Sequence, residues 1–145
     1  MIAKAPKRQL VAGLGDALAT WFEARTVRQR HANNQLGGKP TATGTALAKL
    51  CHDILLADGP AARSAVEAGA ASPALERITD RGSKKSAVFY YGGLSAAHAV
   101  NNGFSMIAGS HAMLHREKVA MGLHTQLVLE GQPQSDICDI CDIFE

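Results

Sequence analysis

Histidine is the main chemical resource of this chain, and three of its six histidines lie close together: His98, His111 and His115. His111 and His115 are four positions apart, so on a helix they would share a face, the spacing of a His-x-x-x-His zinc pair. The residue after His111 is Ala112, where a zinc protease carries its glutamate base, so peptide hydrolysis is disfavoured. Solvated or core-satisfied imidazoles would show the same spacing. His98 sits among Ser95, Ala96, Ala97, Ala99 and Val100, and a lone histidine in such a helix is usually a hydrogen-bonded core residue. Asp16 stands just before a helical stretch and reads as its N-cap. Cys138 and Cys141 form a C-x-x-C, either half a zinc site or a redox pair, with Cys51 far upstream. Gly37-Gly38-Lys39-Pro40 lacks the first glycine and the Ser/Thr of a phosphate loop and reads as a turn.

The elements that must position these groups are helices. Alanine is abundant, and it loses no side-chain entropy in a helix. A first helix is expected from about Ala17 to Arg30, with Leu18, Trp21, Phe22 and Arg25 on one face. Thr41 or Thr43 should cap a second, reaching Ala57 and stopped by Gly59 and Pro60. Shorter helical pieces are expected over Pro60–Ala71 and Pro73–Thr79, then an exposed loop over Arg81–Ser86. Gly93 to Val100 is rich in small residues that allow close approach of helices. A loop over Asn102–Ser110 leads to a stronger helix, Ala112 to Leu129, with Val119, Leu123 and Leu127 at i, i+4 and i+8. The acidic tail from Ser135 to Glu145 is expected to fray. Ala87 to Tyr91 is the one β-like run, and a lone strand makes no sheet.

With 145 residues the chain can bury one core; 46% hydrophobic and 19% charged residues are ordinary for a folded soluble protein. Fifteen basic residues against thirteen acidic ones leave a formal charge of +2, too mild for a nucleic-acid partner. The apolar run behind the charged start is too short for a signal peptide, and no segment approaches the roughly 20 apolar residues of a membrane span. Three cysteines make no disulfide framework, so a cytoplasmic home is expected. Gly13-Leu14-Gly15 has Leu18 where the third glycine of a dinucleotide fingerprint would fall.

Together, three ordered blocks resemble the glycerol dehydrogenases of the iron-containing alcohol dehydrogenase superfamily. Gly13-Leu14-Gly15-Asp16-Ala17-Leu18-Ala19-Thr20-Trp21-Phe22-Glu23-Ala24 resembles the entry to that family's helical domain. Gly92-Gly93-Leu94-Ser95-Ala96-Ala97-His98-Ala99-Val100 is similar to a glycine-glycine-leucine-alanine helix ending in a metal histidine. His115-Arg116-Glu117-Lys118-Val119-Ala120-Met121-Gly122 resembles a histidine-glycine-glutamate-lysine-valine-alanine motif, and Thr125-Gln126-Leu127-Val128-Leu129-Glu130 continues the match. Ser72-Pro73-Ala74-Leu75-Glu76 fits between them.

The resemblance implies a mainly α chain, a partial helical C-terminal domain of the dehydroquinate synthase-like, iron-type alcohol dehydrogenase fold. It implies that the α/β nucleotide-binding domain is absent and that residues 1–130 form the helical part, followed by a divergent tail over 131–145. It also implies that Asp16, His98 and His115 hold a divalent metal, zinc or iron, and through it the substrate, glycerol or a related polyol. NAD would be the hydride acceptor of the complete enzyme, and the isolated chain is expected to lack both NAD binding and activity. The alternative is a non-catalytic remnant that docks on a full-length dehydrogenase; self-association through Leu123, Leu127 and Val128 is a further expectation. The chain departs from the family pattern at Tyr90, Tyr91 and Asn101, and at Arg116, where a cation replaces glycine after the metal histidine. Such a cation opposes metal binding unless its side chain points away.

Overall fold

The computed structural model describes residues 6–83 and 92–144. Within them six α-helices and one short 3-10 turn follow one another, and no strand occurs among the described residues. The helices are α1 (Lys7–Gln29), α2 (Ala42–Glu67), α3 (Pro73–Ser83), α4 (Ala96–Phe104), α5 (His115–Leu129) and α6 (Gln134–Phe144), with the 3-10 turn at Ala108–Ser110.

α1 is the central element. It packs against α2 and α5, and touches α4 and α6. Consistent with that position, it buries residues on nearly every side, among them Leu14, Asp16, Leu18, Ala19, Phe22, Glu23 and Val27. A helix covered all round needs no single apolar stripe. It begins nearly three turns before the sequence expectation, directly after Pro6. Asp16 is therefore a mid-helix residue and not an N-cap. Gly13 and Gly15 disfavour helix locally by about 1 kcal/mol each, but the tertiary burial of Leu14 between them and of Leu18 one turn after Leu14 overrides them.

The second correction concerns α2. Thr41 caps it, its hydroxyl oxygen accepting from the Gly44 amide at 3.0 Å. The helix does not stop at Gly59-Pro60 but runs through to Glu67 as one element. Leu55, Gly59, Ala62 and Val66 are all buried in it, the i, i+4, i+7, i+11 face of a helix that crosses the proline. Gly59 has no Cβ to clash with the proline ring, which eases the backbone there. α3 starts at Pro73 behind Ser72, whose hydroxyl accepts from the Leu75 amide, and it includes Arg81 to Ser83, expected to be loop. The remainder of that expected loop, and the β-like run Ala87–Tyr91, lie outside the described residues.

The tail also differs from expectation. Residues after Pro133 form α6, and Ile137 and Ile140 enter the same core as Leu14, Leu18, Leu123 and Leu127. An i, i+3 isoleucine pair gives the acidic segment an apolar face to bury. Leu123 and Leu127 are fully buried, so they are not available for self-association; Val128 and Leu129 are exposed at 67% and 73%. No helix among the described residues is long and apolar enough to cross a membrane.

α4 crosses α5 at close range, and the crossing rests on a glycine. A Cβ on Gly122 would lie 2.2 Å from the Ala97 carbonyl oxygen. Gly93, at the entry to α4, has φ of +96°, and its Cβ would stand 2.8 Å from a Val27 methyl of α1. Gly122→Ala should therefore force α4 off α5 and cost about 1–3 kcal/mol, read as a lowered melting temperature. An unchanged melting temperature would show that the crossing has slack.

Candidate metal centre

The site is assembled from three helices. Asp16 comes from the middle of α1, His98 from the first turn of α4, and His115 is the first residue of α5. One ligand atom from each lies within 4.8 Å of the others. Asp16 and His98 are buried at 5% and 6% exposure, while His115 is exposed, so the cluster opens to solvent on the α5 side. His98 Nε2 stands 3.7 Å from Asp16 Oδ1, and the two imidazole rings are 5.8 Å apart between centroids.

His98 is oriented by a residue that the sequence reading did not single out. Glu23, fully buried on α1 two turns beyond Asp16, accepts from His98 Nδ1 through Oε2 at 2.6 Å. Its Oε1 accepts from the backbone amides of Ser95 at 2.8 Å and His98 at 2.9 Å. One carboxylate thus caps the start of α4, where unpaired amides and the helix dipole both favour an anion, and fixes the ring of its histidine. Because a carboxylate is an acceptor, Nδ1 carries the hydrogen, and Nε2 is the nitrogen turned toward Asp16, where it can donate a lone pair to an ion held between them. Gln126 of α5 completes the cap, its Oε1 accepting from the Ala97 amide at 3.0 Å. Gln126 is held in turn by Glu130, which accepts from its Nε2 at 2.7 Å, from the Thr26 hydroxyl, and from Arg25 at 2.7 Å.

His115 is placed by the start of its helix. The Glu117 carboxylate accepts from the Leu114 amide at 2.8 Å and pairs with Arg8 of α1 through both oxygens. The Arg8 hydrogen bonds, followed by the Leu114 amide, hold the Glu117 carboxyl down at about 2. The helix begins at His115 itself, not at Ala112. His111 therefore sits outside it, exposed after the 3-10 turn, and the helical His111/His115 pair read from spacing does not form. Arg116 is largely exposed but leans across the mouth of the site: its Nε is 3.8 Å from Asp16 Oδ2, and its guanidinium lies near Gly13.

The donor set suits a divalent cation. A lone-pair nitrogen and a carboxylate oxygen converge at a separation close to the roughly 3–4 Å between neighbouring ligands of a tetrahedral zinc ion. A histidine whose other nitrogen is held by a carboxylate is a frequent arrangement around bound zinc.

The all-helical fold, with its Asp–His–His cluster between the first, fourth and fifth helices, is the class of helical domain found in solved glycerol dehydrogenases, of which it matches part. No protein-family profile matches the chain. Individual proteins do: it is 47% identical over 138 residues to the glycerol dehydrogenase of Citrobacter freundii, covering 94% of this chain and 38% of that protein. With the glycerol dehydrogenase of Thermotoga maritima it shares 44% identity, covering 100% of this chain and 40% of the relative. Among solved structures, a probable glycerol dehydrogenase from Sinorhizobium meliloti superposes with a TM-score of 0.89 at 39% identity, over 97% of this chain and 40% of that one. The Schizosaccharomyces pombe glycerol dehydrogenase gives 0.89 at 33% identity, over 98% and 37%. The chain is homologous to a helical segment of the glycerol dehydrogenases and spans about two fifths of their length.

The Glu23 interaction can be tested by stability alone. Glu23→Ala removes one partner of a buried charged cluster and should cost about 3–5 kcal/mol. Glu23→Gln keeps an acceptor for the α4 amides and should cost markedly less. Equal losses in thermal or denaturant melts would mean that the backbone capping contributes little.

Proposed function

We propose that this chain is the metal- and alcohol-holding part of a glycerol dehydrogenase, and that Asp16, His98 and His115 bind a divalent ion, zinc by their chemistry. The observation that carries the reading is the convergence of the three ligand atoms, with Glu23 turning His98 Nε2 toward Asp16. Iron is the alternative ion in the same set, since imidazole and carboxylate accept both. When bound, such an ion lowers the pKa of an alcohol hydroxyl and stabilises the charge that develops on its oxygen.

The residues of the chain divide the remaining work. Asp16 supplies the negative charge and His98 a neutral nitrogen fixed in one tautomer by Glu23. His115, exposed at the mouth, completes the set while leaving the side from which a small polyol enters open. Buried Asp16 and His98 keep water from the inner face of the site, where electrostatic attraction is stronger. Oxidation of glycerol to dihydroxyacetone also requires a hydride acceptor. NAD is proposed for that role in the whole-length enzyme, and the isolated 145-residue chain is proposed to be inactive. A second reading, a non-catalytic segment that docks on a full-length dehydrogenase, has the exposed Met106, Ile107, Val128 and Leu129 in its favour.

Zinc content of the purified chain should fall from near one ion per molecule to a small fraction in His115→Ala, with helicity unchanged. Equal zinc in both would contradict the ligand assignment. Arg116 contributes the opposite effect, because its guanidinium competes with the ion for Asp16. Arg116→Gly should tighten zinc binding by about tenfold, the scale of removing one unit charge a few ångström away. An affinity equal to or weaker than that of the parent, measured by competition with a chelator, would show that Arg116 swings clear of the loaded site.

A further inference from the structure

On the far side of α5 from the capping network of α4, a second group of reactive side chains comes together. His124 of α5 lies 3.0 Å through Nε2 from the Cys141 sulfur of α6. Its other nitrogen, Nδ1, lies 3.1 Å from the Ala120 carbonyl oxygen. A carbonyl oxygen can only accept, so Nδ1 carries the hydrogen and Nε2 offers a lone pair to the Cys141 thiol. This is the arrangement in which an imidazole takes a thiol proton, with the base oriented by a third group. Cys138 stands one helical turn earlier on the same face of α6 as Cys141, exposed where Cys141 is half-buried. Between them the buried Ile137 and Ile140 fix α6 to the core, which holds Cys141 against His124.

We propose that Cys138 and Cys141 are a thiol–disulfide exchange site, with His124 as its base and a low-molecular-weight disulfide such as glutathione disulfide as its reaction partner. The site is independent of the metal reading. Exposure makes Cys138 the entry point. Its thiolate, having given its proton to solvent, attacks one sulfur of the small disulfide; that S–S bond breaks, a mixed disulfide forms at Cys138, and the first small thiol leaves with a proton. His124 Nε2 then takes the Cys141 proton, and the Cys141 thiolate attacks the Cys138 sulfur. The mixed disulfide breaks, the Cys138–Cys141 bond forms, and the second small thiol leaves carrying the proton from His124. The protein loses two hydrogens and the small disulfide is reduced to two thiols. Helical residues three apart bring their Cα atoms into the range a disulfide spans, though the side chains must draw closer than a regular turn holds them.

The test uses the full chain carrying Cys51→Ser, which leaves only the paired cysteines, exposed to glutathione disulfide near pH 7, quenched with acid and weighed intact. The parent should lose two hydrogens, with the glutathione adduct appearing only in passing. Cys141→Ser should stop at a lasting adduct, and Cys138→Ser should form far less of it. His124→Gln should accumulate adduct and close about tenfold or more slowly, because an unassisted thiol is only a few per cent thiolate at that pH. Failure of the parent to react, an adduct that never closes, or closure in His124→Gln at the parent rate would overturn the proposal. Should His124→Gln lose helicity, the two cysteine variants decide the matter.

Discussion

The carboxylate of Glu23 is the interaction on which the other features of the site depend. It is fully buried, and burying a charge is costly unless hydrogen bonds replace its water. Three donors do so: two amides at the start of α4 and the Nδ1 hydrogen of His98. α1 and α4 touch only lightly, so this carboxylate, which joins α1 to the first turn of α4, registers one against the other. Remove it and the first turn of α4 loses its cap, while His98 loses the partner that sets both its rotation and its tautomer.

Around that point the helices are locked by complementary means. Gly122 lets α4 lie against α5, and Gly93 lets the chain enter α4 across Val27. Gln126, Glu130, Thr26 and Arg25 carry a continuous polar network from the α4 cap to the end of α5. The result places two buried ligand candidates on α1 and α4 and an exposed one on α5. That asymmetry is what the proposed function requires, since an ion held from within must still meet an alcohol from without. Arg116 works against it by pairing with Asp16. In this chain the site carries its own competing cation.

The fold class and the three candidate ligands were legible, but by motif order and not by spacing. Spacing put His111 and His115 on one helical face, with solvated or core-satisfied imidazoles as the other reading, and the structure separates the two because α5 begins at His115. Local rules misplaced the helix limits where burial overruled them. The first helix was expected only from Ala17 with Asp16 as its cap, Gly59-Pro60 read as a stop, and the acidic tail as frayed, yet each segment is helix with a buried face. Glu23 escaped notice because a glutamate in a helix is ordinarily a solvated one. A signal was present: Asp16 and Glu23 are seven apart and share a face of α1, so a carboxylate at one implies access to the site from the other. What they would meet there, the amides of a helix distant in sequence, is tertiary capping, which no local pattern records.

Among the described residues only the ligand atoms of Asp16, His98 and His115 converge closely enough to hold an ion, while the cysteines of α6 beside His124 offer thiols that attract zinc without such convergence. X-ray absorption at the zinc edge of the loaded protein tells them apart most directly. Zinc held by Asp16, His98 and His115 gives nitrogen and oxygen ligands alone at about 2.0–2.2 Å, with imidazole scattering that diminishes in His98→Ala. A sulfur shell at about 2.3 Å, unchanged by that substitution, would place the metal at the cysteines and contradict the central claim.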